Sequence, residues 1–338
     1  MGAPLGLETI YNNFFKGDVF EMTYAMIGTW RMAYEGLSKG IDMLREGGKS
    51  ADAIETAVKE VEDYPFFKSV GYGGLPNANG LVEMDAGFMN GDTFEVGAVM
   101  GISDVKNPIS VARSLSHEHF NSVLVGAGAS QYATLNNFER KNMLTERAHK
   151  IWEKRKKEII EKNLSPYDGH DTVGMVGLDQ LGSIAVGTST SGLFMKKPGR
   201  TGDTALVGDG FYADSEIGGA AATGLGEDIM KGCLCYEIVR LMGTGVKPQA
   251  ACDQAVYSFT KKLKQRYGKI GEFSLVALDK HGDWGVATNV EFTFAAGTSD
   301  DKPAIFIAHP DDNDKTKIEP ITQEWLDAYS KRIKAPVE

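Results

Sequence analysis

Residues 169–192 read GHDTVGMVGLDQLGSIAVGTSTSG. Two stretches within it, TVGMVGL (172–178) and SIAVGTS (183–189), flank the turn Asp179-Gln180-Leu181-Gly182, the pattern of a β-hairpin. The unit recurs a hundred positions on, where VALDKHGDWGVAT (276–288) parallels VGLDQLGSIAVGT (176–188). Shared hairpin chemistry explains this likeness as well as duplication does. Between the two units, the periodicity predicts helices over about 215–242 and 248–266. Hairpins grouped with helix pairs, without regular βαβ alternation, predict an α+β fold and not a doubly wound parallel sheet.

Upstream, AMIGTW (25–30) predicts a strand and 31–46 a helix stopped by Gly47-Gly48. Ser50 is the expected N-cap of a helix over 51–63. Residues 81–102 alternate around Asn90-Gly91, a hairpin signal, followed by a helix near 107–116 and a strand near 122–127. Residues 130–168 are polar and charged, and are expected to form an exposed, partly helical segment.

His170-Asp171-Thr172 invites comparison with a catalytic triad. Adjacent strand residues point to opposite faces, so these neighbours cannot form such a relay. A threonine hydroxyl is a weak nucleophile unless a base stands beside it. An N-terminal threonine carries that base as its own α-amine, whose unperturbed pKa is ~7.7–8.0. Thr172 gains such an amine only if the chain is cut just before it. It also reads simply as a β-branched strand residue behind a turn, and the pattern alone leaves both open. Other sites are absent: GTSTSG lacks the Gly-Lys-Ser/Thr of a phosphate loop, and there is no G-x-S-x-G. His117 and His119 lack companion ligands, so no metal site is expected.

The net charge of −10 speaks against nucleic acid or an anionic membrane as a main partner. The basic run from Arg147 to Lys157 is interleaved with acids at helical spacing and reads as a solvated helix face. Cys233, Cys235 and Cys252 are odd in number and are expected to be buried, reduced thiols. No apolar run approaches the ~20 residues of a membrane span, and the first residues lack an export signal. The expectation is a cytoplasmic protein.

Five motifs then stand in order: GHDTVGMV, GTSTSG, PGRTGD, YADSEIGGAAATGLGED and the early TW. Together they resemble the glycosylasparaginase family of N-terminal nucleophile hydrolases, from about residue 25 to residue 290 with the variable segment 130–165 excepted. The resemblance implies a four-layered αββα sandwich and a precursor that cuts itself between Asp171 and Thr172. One domain would become an α chain, 1–171, and a β chain, 172–338. His170 and Asp171 would serve the cut. Thr172 would be the nucleophile, and Thr190 the hydroxyl that bonds it. Arg200 would clamp the substrate α-carboxylate and Asp203 its α-ammonium. Thr223 and Gly224 would form the oxyanion hole, and Trp30 would line the site. Alone, Arg200 and Asp203 also read as a surface ion pair, Thr223 as a helix-start hydroxyl, Gly224 as a turn and Trp30 as core.

The resemblance further implies hydrolysis of a glycosylated asparagine, or of a β-aspartyl peptide or asparagine on the same scaffold. It implies no cofactor and a homodimer of cut αβ units. A non-catalytic binding relative is the remaining alternative. Two departures from the family pattern stand out: PGRTGDTA for the more usual G-R-V-G-D-S-P, and Asp209 where a small residue is common.

Overall fold

The computed structural model describes residues 23–162 and 171–337. The chain begins with β1 (Ala25–Thr29), a 3-10 turn at Arg31–Ala33, α1 (Tyr34–Arg45) and α2 (Ser50–Asp63). The hairpin β2 (Met84–Asn90) and β3 (Val96–Ile102) follows, then α3 (Pro108–Ser116), β4 (Val123–Val125), α4 (Gly126–Leu135) and α5 (Glu146–Lys162). Next come β5 (Val173–Leu178), β6 (Ile184–Thr190), β7 (Phe211–Asp214) and β8 (Gly218–Gly224). After the short α6 (Gly226–Ile229) stand α7 (Leu234–Gly243) and α8 (Pro248–Tyr267). The chain closes with β9 (Phe273–Asp279), β10 (Trp284–Thr288), β11 (Phe292–Thr298), β12 (Ala304–Pro310), β13 (Thr316–Pro320) and α9 (Gln323–Lys334).

The strands form two sheets, ordered β13-β12-β11-β1-β5-β6-β2-β3-β4 and β10-β9-β8-β7. All pairs are antiparallel except β3 with β4. The α+β expectation therefore holds. Three apolar clusters separate the layers. One, including Leu37, Ile54, Val58 and Ile109, joins α1, α2 and α3 to the large sheet. A second, including Ile27, Val176, Val186, Phe211 and Val276, fills the space between the sheets. A third, with Ile238, Val256 and Leu275, joins α7 and α8 to the small sheet.

The hairpin predicted around Asn90-Gly91 forms as β2–β3. The two predicted a hundred positions apart also form, one in each sheet. Their turns use one device: Asp179 Oδ1 accepts from Leu181 and Ser183 N–H, and Asp279 Oδ1 accepts from His281 and Asp283 N–H. The remaining oxygen of Asp179 accepts the Ser50 N–H at 2.9 Å. That contact corrects the expected cap. Ser50 is already inside α2, and Asp179 from a distant turn does the capping.

The predicted helix over 215–242 is wrong in its first part. Residues up to Gly224 form most of the β7–β8 hairpin, and only Leu234–Gly243 is a sizeable helix there. The run GGAAATG lies where the two sheets press together, and a Cβ on Gly219 would stand 2.7 Å from Val176 Cγ1. Small residues make this strand by fitting a narrow gap, which leaves no alternating pattern to read. The thiol expectation also needs correction. Cys235 and Cys252 are buried, but Cys233 is exposed, in a left-handed conformation at the start of α7. Most acidic and basic side chains of α5 face outward, although Arg155 is largely buried, while Ala148 packs with Phe194 and Met195. The part of the 130–168 segment beyond residue 162 lies outside the described residues. No helix among the described residues is long and apolar enough to cross a membrane.

Candidate active site

Thr172 stands at the head of β5, in the middle of the nine-stranded sheet, with its side chain almost fully buried. Each of its polar groups meets a threonine. Its N–H donates to Thr223 Oγ1 at 2.9 Å, and its carbonyl accepts from Thr29 Oγ1 at 2.6 Å. Its hydroxyl lies 3.0 Å from Thr204 Oγ1. Thr29 Oγ1 also accepts the Gly174 N–H at 2.9 Å, so one side chain of β1 holds both sides of residue 173. In this uncut chain the Thr172 nitrogen is an amide; it stands where the amine of a chain beginning at Thr172 would be.

Thr223, at the end of β8, is fully buried. Its oxygen accepts from Thr172 N and also from Trp30 Nε1 at 2.8 Å. Both acceptor directions are then used, and the hydroxyl hydrogen must point a third way. Gly224 follows with φ +125°, and a Cβ there would lie 2.3 Å from the Glu272 carbonyl oxygen. Only glycine fits. Trp30 itself has φ 64°, a strained value for a bulky residue. Its ring meets Phe292 edge-on at 5.0 Å, which holds it in that position.

Thr190 ends β6 and is buried. Its hydroxyl donates toward the Asp171 carbonyl at 3.1 Å and the Ser69 carbonyl at 3.2 Å, and accepts the Gly192 N–H at 2.9 Å. Thus Thr190 meets the peptide bond before Thr172, while the hydroxyl against the Thr172 side chain is that of Thr204. His170 lies outside the described residues.

Arg200 and Asp203 lie on the loop after β6 and do not form an ion pair with each other at hydrogen-bond distance. Arg200 uses Nε and Nη2 to grip Glu227 at 2.9 and 2.6 Å. Its Nη1 edge lies toward Gly192. Asp203 is buried, with Oδ2 lacking a hydrogen-bond partner. Burial pushes its carboxyl up to about 7, with the nearby Arg200 charge partly opposing. A buried acid of this kind gains by receiving a cation. Behind the loop, Lys196 is buried with Asp85, and burial drives the acid up and the amine down. Lys196 Nζ donates to the Glu83 carbonyl at 3.1 Å, tying the Arg200 loop to the edge of β2. Among the described residues no cluster of His, Cys, Asp or Glu could hold a metal ion.

Three contributors escaped the sequence reading: Thr29, Thr204 and Glu227. Thr29 and Thr204 stand in the quoted stretches TW and PGRTGDTA, beside Trp30 and Asp203, but no role was attached to them. Glu227 stands in the motif YADSEIGGAAATGLGED, but acids at a helix start are common and no role was attached to it.

The sequence is similar to known proteins. Residues 29–307 match the asparaginase family. The N(4)-(β-N-acetylglucosaminyl)-L-asparaginase of Elizabethkingia miricola is 36% identical over 262 residues, 77% of each chain. An isoaspartyl peptidase/L-asparaginase of Xenopus laevis is 36% identical over 278 residues, 81% of this chain and 87% of that one. A plant-type L-asparaginase of Pyrococcus furiosus is 38% identical over 257 residues, 72% of this chain and 81% of that one.

Proposed function

The chain belongs to the asparaginase family and is an enzyme of that family, and on that premise we propose that it cuts itself between Asp171 and Thr172 to become an N-terminal threonine amidohydrolase. The order helices, sheet, sheet, helices supports the αββα sandwich of the N-terminal nucleophile hydrolases. The whole chain is then one domain, divided by the cut into residues 1–171 and 172–338.

In the cut, Thr172 Oγ1 gives up its proton and attacks the Asp171 carbonyl carbon. The oxygen that becomes negative already has the Thr190 hydroxyl 3.1 Å away. The carbon–nitrogen bond breaks, the nitrogen takes a proton, and Asp171 is left as an ester on Thr172. Water then resolves the ester into a carboxylate and a free threonine hydroxyl.

In turnover, the freed α-amine of Thr172 takes the hydroxyl proton, directly or through water. Thr172 Oγ1 attacks the side-chain amide carbon of the substrate, and the amide nitrogen leaves with a proton. Water hydrolyses the β-aspartyl ester to release aspartate. Thr223 and Gly224 would receive the oxyanion; the third direction left to the Thr223 hydrogen supports this role. Asp203, with its unpartnered oxygen, would take the substrate ammonium. Arg200 would take the α-carboxylate on its Nη1 edge or by displacing Glu227.

The reading rests on one observation above the others: Thr172 presents both its nitrogen and its hydroxyl to buried threonine hydroxyls at hydrogen-bond distance. Our first substrate is N4-(β-N-acetylglucosaminyl)-L-asparagine, favoured by the HDT sequence at the cut. The second is a β-aspartyl peptide or asparagine, because relatives named for either activity match at 36% identity. The test is N-terminal sequencing and intact mass of purified protein, then hydrolysis of the three substrates side by side. A second terminus reading Thr-Val-Gly-Met and preference for the glycosylated asparagine are expected. An active protein of undivided mass overturns the mechanism, and a large preference for dipeptides overturns the substrate.

A further inference from the structure

We propose that the cavity between α9 and the turn at Trp30–Met32 is the leaving-group subsite of this enzyme and receives an uncharged sugar ring. The proposal rests on the glycosylasparagine reading and gives it a location. The cavity measures about 200 Å³ and extends to Asp171, the residue bonded to Thr172. When the cut frees Asp171 from Thr172, the barrier between this cavity and the nucleophile is no longer covalent.

One side of the cavity is Trp30, whose indole N–H is already fixed on Thr223. The other is α9, which contributes Trp325 and Tyr329, stacked with ring centroids 5.3 Å apart. Aromatic walls with a few polar groups suit a ring that has both C–H faces and hydroxyls. The stretch matching the family ends at residue 307, so this aromatic wall lies beyond it.

Charge separates a sugar from an amino-acid leaving group. Arg31 and Arg332 line the cavity opposite Asp171 and Glu291, and the cut would add the Asp171 α-carboxylate, leaving one more negative than positive charge. Both guanidinium groups lie over the Tyr329 ring, at 5.5 and 5.4 Å, and Arg31 also pairs with Glu35 at 2.6 Å. A leaving group with a carboxylate would meet a net-negative surface whose cations are already engaged. A neutral polyol needs only hydrogen bonds. The Thr293 hydroxyl, which lines the cavity and accepts the Arg31 N–H at 3.1 Å, can still donate.

The experiment compares the cut wild-type enzyme with Trp325→Ala and with Trp325→Ala/Tyr329→Ala. The readout is kcat/KM for N4-(β-N-acetylglucosaminyl)-L-asparagine divided by that for L-asparagine, which lacks the sugar. The ratio is expected to fall about tenfold or more. Free N-acetylglucosamine should compete with the glycosylated substrate in wild type and more weakly in the variants. No residue of α9 is fully buried, so the single variant is expected to stay folded if the double one does not. An unchanged ratio in an enzyme that hydrolyses the glycosylated substrate overturns the subsite alone. A wild-type enzyme that accepts asparagine but not the glycosylated form overturns the substrate reading and the subsite with it.

Discussion

The hydroxyl oxygens of Thr172 and Thr204 lie 3.0 Å apart, and the backbone carbonyl of Thr204 is itself held by Thr188 Oγ1 at 2.6 Å. The contact sets where Thr172 Oγ1 points before the chain is cut. A net hydrogen bond is worth ~1 kcal/mol, so Thr204→Val should slow self-cleavage about fivefold. Thr204→Ser should stay close to wild type. Densitometry of the 36.6 kDa band over time checks both.

Thr172→Ala removes the attacking oxygen and should leave the chain undivided and inactive. Thr172→Ser keeps the oxygen but loses the methyl group that fixes its rotamer, and should cut more slowly. Intact-mass analysis distinguishes the three forms, and a divided, active alanine variant contradicts the mechanism.

Thr190 and Thr223 should separate cutting from turnover. Thr190→Val deprives the Asp171 carbonyl of its donor, and its main effect should be a slow cut. Thr223→Val removes a proposed oxyanion donor, which typically costs on the order of 10²–10³ in kcat. Rates are to be measured on whatever fraction has divided, normalised by counting new threonine termini.

Glu62 makes a pH prediction. Full burial raises its carboxyl from 4.5 to about 8, although Ser189, Ile109 and Asn107 donate hydrogen bonds to it. A raised acid contributes stability that is complete below the unfolded value and is lost as pH climbs through the folded one. Thermal stability should therefore decline between about pH 4.5 and 8. Glu62→Gln, which stays neutral, should flatten that decline. Melting temperatures measured across the range decide it, and an equal slope in both proteins refutes the assignment.

The hairpins were legible because their signals are local: alternation, an aspartate whose side chain builds the turn, and a glycine to finish it. The β8 strand was not, since its small residues are chosen by the opposite sheet. Thr172, Thr190 and Thr223 could be named from motifs, and each lies in the hydrogen-bond chain around the Asp171–Thr172 peptide. Thr29 and Thr204 stood in quoted stretches without a role. Their partner lies 143 and 32 positions away, and nothing in a lone hydroxyl announces what the fold will place opposite it. The C-terminal strands and α9 follow the second hairpin without a motif, so the wall they add near Asp171 had to be seen.

β1 precedes the proposed cut, yet it is hydrogen-bonded on one edge to β11 and on the other to β5, both of which follow it. β2 likewise pairs with β6 across the same divide. The two fragments would be woven like fingers, so a single break releases nothing. The asymmetry appears only after denaturation: an undivided chain can return to its fold at a rate independent of dilution, whereas separated fragments must first find each other. The mature form would thus owe its persistence to the height of its unfolding barrier more than to any ability to re-form.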